Sequence, residues 1–378
     1  MQERFHDLVL ATYGRGFWIL DDLTALQQLT PQVLASNAHL FAPRDAYRFR
    51  QVSQPAAVFD YPTAGRNPPY GAAINFYMKS KLAEKDRARI TISDASGRVV
   101  RKLECQPPGA TGTERARGMA GASGGESEGA PSGATCEAKP GINRVWWDLR
   151  SEPSTEVKLR TAPMYAPDVP LGKDGWRPAP SVNRISLLEP PGTYTVTLTL
   201  GDANFTQKLV VLKDPHSTGT ESDIQAQVQL VSMLREEMNA LGDSVNQVES
   251  VRAQIAGLEK ELGTGDASKA IRKAAEDLTE KLTLAEGKLL QLRLTGRGQD
   301  AVRYPPMLLQ KIGYLAAEAG GSADFPPTQQ QVEVAQELKQ QGDQSRQEIQ
   351  QLLEKGVAGF NTMLREKNIA NLVVKAPS

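Results

Sequence analysis

Apolar residues recur with two different periods along this chain, and the change of period divides it. From Ala88 to Ser93, Ile90 and Ile92 alternate with Arg89, Thr91 and Ser93, the period-two pattern of a half-buried strand. Asp94-Ala-Ser-Gly97 supplies turn residues, and Val99, Val100 and Leu103 read as the return of a hairpin. Asn143 to Asp148 reads as a third strand, in which Trp146 and Trp147 point to opposite faces, so only one enters the core. The clearest strand follows Pro190-Pro-Gly192. Tyr194, Val196, Leu198 and Leu200 form one face, and Thr193, Thr195, Thr197 and Thr199 the other. Gly201-Asp-Ala-Asn204 turns the chain, and Phe205 to Leu212 returns through Leu209 and Val211. Ala72 to Lys79 is the expected first strand of this set.

After Ser222 the spacing becomes helical. Ile224, Val228, Val231, Met238, Leu241, Val245, Val248, Ile255, Leu258 and Leu262 step by threes and fours or their multiples, and Gly263-Thr-Gly265 breaks the run. Ile271, Ala275, Leu278, Leu282, Ala285, Leu289 and Leu292 form a coiled-coil-like seam. Gly296 to Pro306 is a second break, Met307 to Ala319 a short helix, and Pro326 to Asn368 a last long one with Val332, Ala335, Leu338, Ile349, Leu352, Phe360 and Leu364 inward. Short breaks between long amphipathic helices predict antiparallel packing on one another, with the polar faces solvated. A coiled coil that binds a partner is the alternative.

Ahead of both regions, Leu8 to Thr12 and Phe17 to Leu20 read as a hairpin turned by Gly14-Arg-Gly16. Such a hairpin alone is marginal in water, so it calls for sister strands. Leu23 to Ser36 reads as a short helix with Thr24 as N-cap, and His39 to Arg50 as an extended connector or strand. Val52 to Gly71, with Pro55, Pro62, Pro68 and Pro69, reads as a linker. Ser151 to Leu188 has no clear period and carries six prolines from Pro153 to Pro180. It is expected to wrap the strand region with Met164, Tyr165 and Trp176 as anchors, or to serve as a binding loop; Tyr165 and Trp176 are the candidate surface-binding aromatics.

Composition narrows the function. Lys+Arg and Asp+Glu are 44 each, for a formal net charge of zero, which gives no footprint for nucleic acid or an anionic membrane. No apolar run approaches the ~18 residues of a transmembrane helix. Met1 to Asp7 has no apolar h-region, so a signal peptide is expected upstream of this sequence. Cys105 and Cys136 are the two cysteines, and they flank a stretch, 106–135, rich in Gly, Ala, Ser, Pro and Glu, read as a disordered loop. Paired, they close about 30 residues and stabilise by roughly 3–4 kcal/mol, in an oxidising compartment; otherwise they are two thiols at a loop base.

Three histidines, His6, His39 and His216, stand in no ligand spacing, and no catalytic, metal or cofactor motif is present. Gly14-x-Gly16 without a following helix reads as a turn rather than a phosphate loop, and Asp21-Asp22 as a strand end rather than a catalytic or metal pair. No residue is therefore singled out for catalysis, cofactor binding or metal ligation.

Two stretches resemble known families. Gly97 to Leu103, Pro140 to Asp148 and Pro191 to Val196 resemble the flagellar hook-capping type of Ig-like domain. Residues 11–22, Ala-Thr-Tyr-Gly-Arg-Gly-Phe-Trp-Ile-Leu-Asp-Asp, resemble the last inner hairpin of a secreted bacterial sortilin-type, BNR-repeat β-propeller, a family often called glycosyl-hydrolase-like. The resemblance, with the helical spacing read above, implies a multidomain β + α protein: a terminal propeller hairpin and connector (1–50), a linker (51–71), an Ig-like β-sandwich (72–214) and, from the spacing, an antiparallel helical bundle (220–368). It implies an extracytoplasmic, periplasmic or secreted location, with the chain's own upstream propeller as first partner. The function expected is a non-catalytic accessory region that scaffolds or binds protein or glycan partners. The alternatives are a support for a glycosidase or sialidase whose active site lies in the propeller, or a sorting-receptor-like ligand binder.

Overall fold

The structure, a computed structural model, describes residues 2–50, 68–82, 87–106, 136–321 and 324–374. The stretch 107–135, read as a loop, and most of the linker, 51–67, lie outside the described residues. The rest is a β + α protein of several sheets and a helical region.

The strands in chain order are β1 (Leu8–Ala11), β2 (Phe17–Leu20), β3 (Ala38–Leu40), β4 (Ala46–Arg48), β5 (Ala72–Met78), β6 (Ala88–Ser93), β7 (Val99–Gln106), β8 (Cys136–Glu137), β9 (Gly141–Trp147), β10 (Lys158–Leu159), β11 (Arg177–Pro178), β12 (Gly192–Leu200) and β13 (Ala203–Lys213). A six-stranded sheet has the order β4-β13-β12-β6-β7-β8, and a three-stranded sheet the order β3-β5-β9. Their alternating apolar residues meet in one core: Ile74, Phe76, Val145 and Trp147 from the smaller sheet, Ile90, Ile92, Val196, Leu198, Leu209 and Val211 from the larger. Trp147 is the tryptophan that fills it. Its ring stands edge-on to Tyr194 at 5.1 Å and its Nε1 donates to the Arg150 carbonyl at 2.8 Å. Trp146, one residue back, is only half-buried. Gly71 leads into β5 at φ +119°, where a Cβ would overlap the Trp147 carbonyl, so glycine is required for this close approach.

Cys105 and Cys136 face each other across the parallel β7–β8 pair and form a disulfide, with Cα atoms 4.2 Å apart. Replacing both by serine is expected to lower stability by about 3 kcal/mol. Urea titration under non-reducing conditions measures this, and an unchanged midpoint would contradict it.

Two stretches differ from the sequence expectation, and a third takes one of its two expected forms. Leu23 to Ser36 is two short helices, α1 (Thr24–Gln27) and α2 (Pro31–Ala35). Pro31 starts the second, and Thr30, not Thr24, caps it by accepting from the Val33 amide at 3.3 Å. The stretch read as an extended connector or strand is strand in part: it supplies β3, antiparallel to β5, and β4, parallel to β13, so it ties the two sheets together. The segment 151–188 packs on the helices rather than wrapping the sheets: Val157, Leu159, Ala179, Ile185 and Leu187 join the helical core. Met164 and Tyr165 are exposed, so neither side chain is a buried anchor.

The helical region contains α3 (Glu221–Glu261), α4 (Asp266–Gly287), the one-turn α5 (Asp300–Arg303), α6 (Leu308–Gly321), α7 (Gln329–Gln351), a π-turn (Leu352–Gly356) and α8 (Val357–Glu366). Thr220 with Asp223, and Thr328 with Gln331, form capping boxes that start α3 and α7. The seam residues Ile271, Ala275, Leu278, Leu282, Ala285 and Leu289 are buried as their spacing predicts, whereas Val332 faces solvent. The polar side of α3 is not simply solvated. Asn239 accepts from the Thr155 amide (2.7 Å), Asn246 from the Lys158 amide (2.8 Å), and Glu249 from the Arg160 and Thr161 amides. These residues lie seven and three apart along one helical stripe, and they seat the segment 151–161.

Glu249 and the fully buried Glu286 both accept from Arg252, at 2.6 and 2.5 Å. Burial, reinforced by the Glu249 carboxylate, holds Glu286 well above the usual carboxylate range. The folded chain thus keeps a proton that the unfolded chain releases near pH 4.5. This contribution is full below that pH and is lost as pH rises through the folded value. Glu286→Gln is neutral at every pH. The native chain is therefore expected to lose melting temperature relative to this variant as pH rises above the usual carboxylate range; parallel profiles would contradict the assignment.

Candidate functional site

Two features stand apart from the packed interior: the hairpin and a recess beside α5. In the hairpin, the register pairs Leu8 with Leu20, Val9 with Ile19, Leu10 with Trp18 and Ala11 with Phe17. Successive side chains alternate between faces, so Leu8, Leu10, Trp18 and Leu20 share one face and Val9, Ala11, Phe17 and Ile19 the other. Both faces are apolar, the mark of a strand covered on both sides. Neither is covered: Phe17 is 76% exposed, Trp18 61% and Ile19 60%. Among the described residues, the two strands form a sheet of their own with no third strand. Gly14 and Gly16, at φ +78° and +69°, turn the chain, and Thr12 closes the turn on the Gly16 carbonyl.

The base of the hairpin is held firmly. Arg144 of β9 donates to the carbonyls of Asp21 (3.0 Å) and Asp22 (2.6 Å), and to Asn75 of β5 (2.9 Å). The Asp22 carboxylate, 2% exposed, accepts from the Thr24 hydroxyl at 2.5 Å and the Thr24 amide at 3.2 Å. Asp7 accepts from the Asp22 amide at 2.9 Å. The backbone carbonyls of Asp21 and Asp22 therefore tie the hairpin to the sheets through Arg144, and the Asp22 carboxylate is engaged by Thr24.

The recess, about 290 Å³, is lined by Tyr165, Ala166, Arg293, Thr295, Arg297, Asp300, Arg303 and Tyr304. The Arg293 guanidinium lies 5.7 Å from the Tyr165 ring centre and 5.5 Å from that of Tyr304, a double cation–π arrangement. Asp300 accepts from the Thr295 amide (2.6 Å) and hydroxyl (2.7 Å). Arg297 reaches Asp168 at 3.1 Å, with both side chains exposed. Gly296 and Gly298, at φ +79° and +57°, allow the tight turn that brings Arg297 round.

No family model, curated protein or solved structure matches the chain.

Of the two aromatics singled out from sequence, only Tyr165 lines the recess. Trp176 stacks under Lys158 at 5.0 Å and belongs to the β10–β11 ribbon region. Arg297, Arg303 and Tyr304 fall in the helix break read from sequence, Gly296 to Pro306, and Arg293 just before it. Their signal was the density of arginine around Gly296-x-Gly298, with an aromatic next to it. Among the described residues, no group of three or more His, Cys, Asp and Glu side chains could hold a metal, and no helix is long and apolar enough to cross a membrane.

Proposed function

We propose that this chain is a non-catalytic interaction region of an extracytoplasmic β-propeller protein, with the hairpin as the element that joins it to the propeller. In this reading the two-sheet unit is an Ig-like sandwich and the helical region an antiparallel bundle. Together they form a scaffold behind the propeller that presents a surface to protein or glycan partners. The observation that carries the reading is the hairpin: two apolar faces open to solvent on a base fixed by Arg144, Asn75 and Asp22. A rigid base with uncovered strands suits an element completed by further strands of the same polypeptide. The resemblance of residues 11–22 to a last propeller hairpin supports the same occupant, and the Cys105–Cys136 disulfide suits an oxidising compartment.

The test is Trp18→Lys in two contexts. In the chain alone, an exposed site, the change is expected to move stability by no more than about 0.5 kcal/mol. In the polypeptide extended by its upstream sequence, the lysine must enter a covered face, and a loss above about 2 kcal/mol is expected. Equal small effects in both contexts would refute the assignment.

A further inference from the structure

We propose that the recess beside α5 binds an anionic sugar, a hexuronate unit of an acidic polysaccharide, with Tyr165 as its platform and Arg293, Arg297 and Arg303 as its charge partners. The proposal names a ligand class within the interaction-region reading, but its residues are remote from the hairpin, so the two can fail separately.

Charge is the first argument. Three guanidinium groups line the recess against one carboxylate, Asp300, already engaged by Thr295; Asp168, outside the lining, pairs with Arg297 at 3.1 Å, which leaves Arg293 and Arg303. Arg293 has ring faces for neighbours, and neither it nor Arg303 has a carboxylate within ion-pair distance among the described residues. Guanidinium groups recognise carboxylates through paired N–H donors, so a carboxylate ligand fits better than a neutral one.

The second argument is shape. Tyr165 is 70% exposed although Arg293 lies against its ring, which leaves ring surface open. A flat aromatic surface beside a charged donor suits a pyranose, whose C–H groups lie on the ring while its carboxylate reaches the arginines. At about 290 Å³ the recess is at the lower end of the ~300–1,000 Å³ typical of ligand sites, room for a sugar unit and its substituents. A peptide is a poorer fit. The lining offers one aliphatic side chain, Ala166, and no strand edge, since none of its residues lies in a sheet. Single-stranded nucleic acid needs a longer basic groove with successive stacking platforms, and the chain has no net positive charge to steer it.

The site is built by two segments that pack on each other. The Met164 amide donates to the Leu292 carbonyl at 3.2 Å, which fixes the turn bearing Tyr165 against the end of the turn bearing Arg293. The platform is thus placed by the 151–188 segment and the charges by the 287–304 segment, each held by the helical core.

The experiment is calorimetric titration of the full chain with a tri-galacturonate oligosaccharide, its fully methyl-esterified form, a poly-glutamate peptide and a uridylate oligonucleotide. Binding is expected for the free-acid sugar, with at least tenfold weaker binding for the ester and the peptide. Tyr165→Ser and Arg297→Gln, both at exposed positions, are each expected to weaken it about fivefold or more without moving the melting temperature. Absence of sugar binding would overturn the proposal. So would peptide, ester or oligonucleotide binding as tight as that of the free-acid sugar, or unchanged affinity in both variants.

Discussion

Arg48→Ala is expected to destabilise the folded chain by about 3–5 kcal/mol, the range for removing one partner from a buried ionic contact. Arg48 ends β4, where its side chain is 1% exposed. Its guanidinium contacts the Asp324 carboxylate and donates to Gln227 Oε1 of α3 at 2.7 Å. Gln227 in turn donates to the Ala319 carbonyl of α6 at 2.9 Å. One side chain thus links the six-stranded sheet to two helices. Burial lowers the affinity of this guanidinium for its proton. Alanine would leave the Asp324 carboxylate, itself 3% exposed, without its cation. Beside it the chain has no slack, because a Cβ on Gly219 would overlap the Asp324 carbonyl. The double variant Arg48→Met with Asp324→Leu removes both charges and is expected to lose less than Arg48→Ala alone. Urea titrations of the two variants measure both effects. A loss below about 1 kcal/mol for Arg48→Ala would mean that the linkage is not what holds sheet to helix.

Trp147→Ala is expected to cost about 3–5 kcal/mol through the cavity it leaves between the two sheets. The indole is fully buried, its ring meets Tyr194, and its N–H is satisfied by the Arg150 carbonyl. Tyr194 depends on that packing: its hydroxyl donates to the Pro190 carbonyl at 2.6 Å, and burial raises its pKa well above the usual tyrosine value. The internal control is Trp146→Ala, on the opposite face of β9, for which less than about half the loss is expected. Thermal melts of the pair decide it: equal losses would contradict the assignment of Trp147 alone to the core.

The strands of the two-sheet unit were legible because their burial is one-sided. Thr193, Thr195, Thr197 and Thr199 mark the outer side of β12 as clearly as Val196 and Leu198 mark the inner, and two adjacent tryptophans cannot share a face. The helical seam from Ile271 to Leu289 was legible for the same reason at a different period. What escaped was every contact made by polar groups. Asn239, Asn246 and Glu249 look like solvated helix positions in sequence, yet they accept the backbone amides of Thr155, Lys158, Arg160 and Thr161 and so decide where the 151–188 segment lies. The recess escaped because Tyr165 and Arg293 lie far apart in sequence, and only the packing of one loop on another brings ring and guanidinium together. The hairpin, by contrast, was read from sequence as two strands in want of neighbours, and it stands as a sheet of two.

The most direct test of the proposed docking role is amide hydrogen exchange across Leu8–Ala11 and Phe17–Leu20, measured in this chain and in the longer polypeptide that the proposal calls for. Fast exchange along the outer edges of both strands in the first, and slow exchange in the second, is the result expected. Equally fast exchange in the longer polypeptide would contradict the claim that these strands are completed by others.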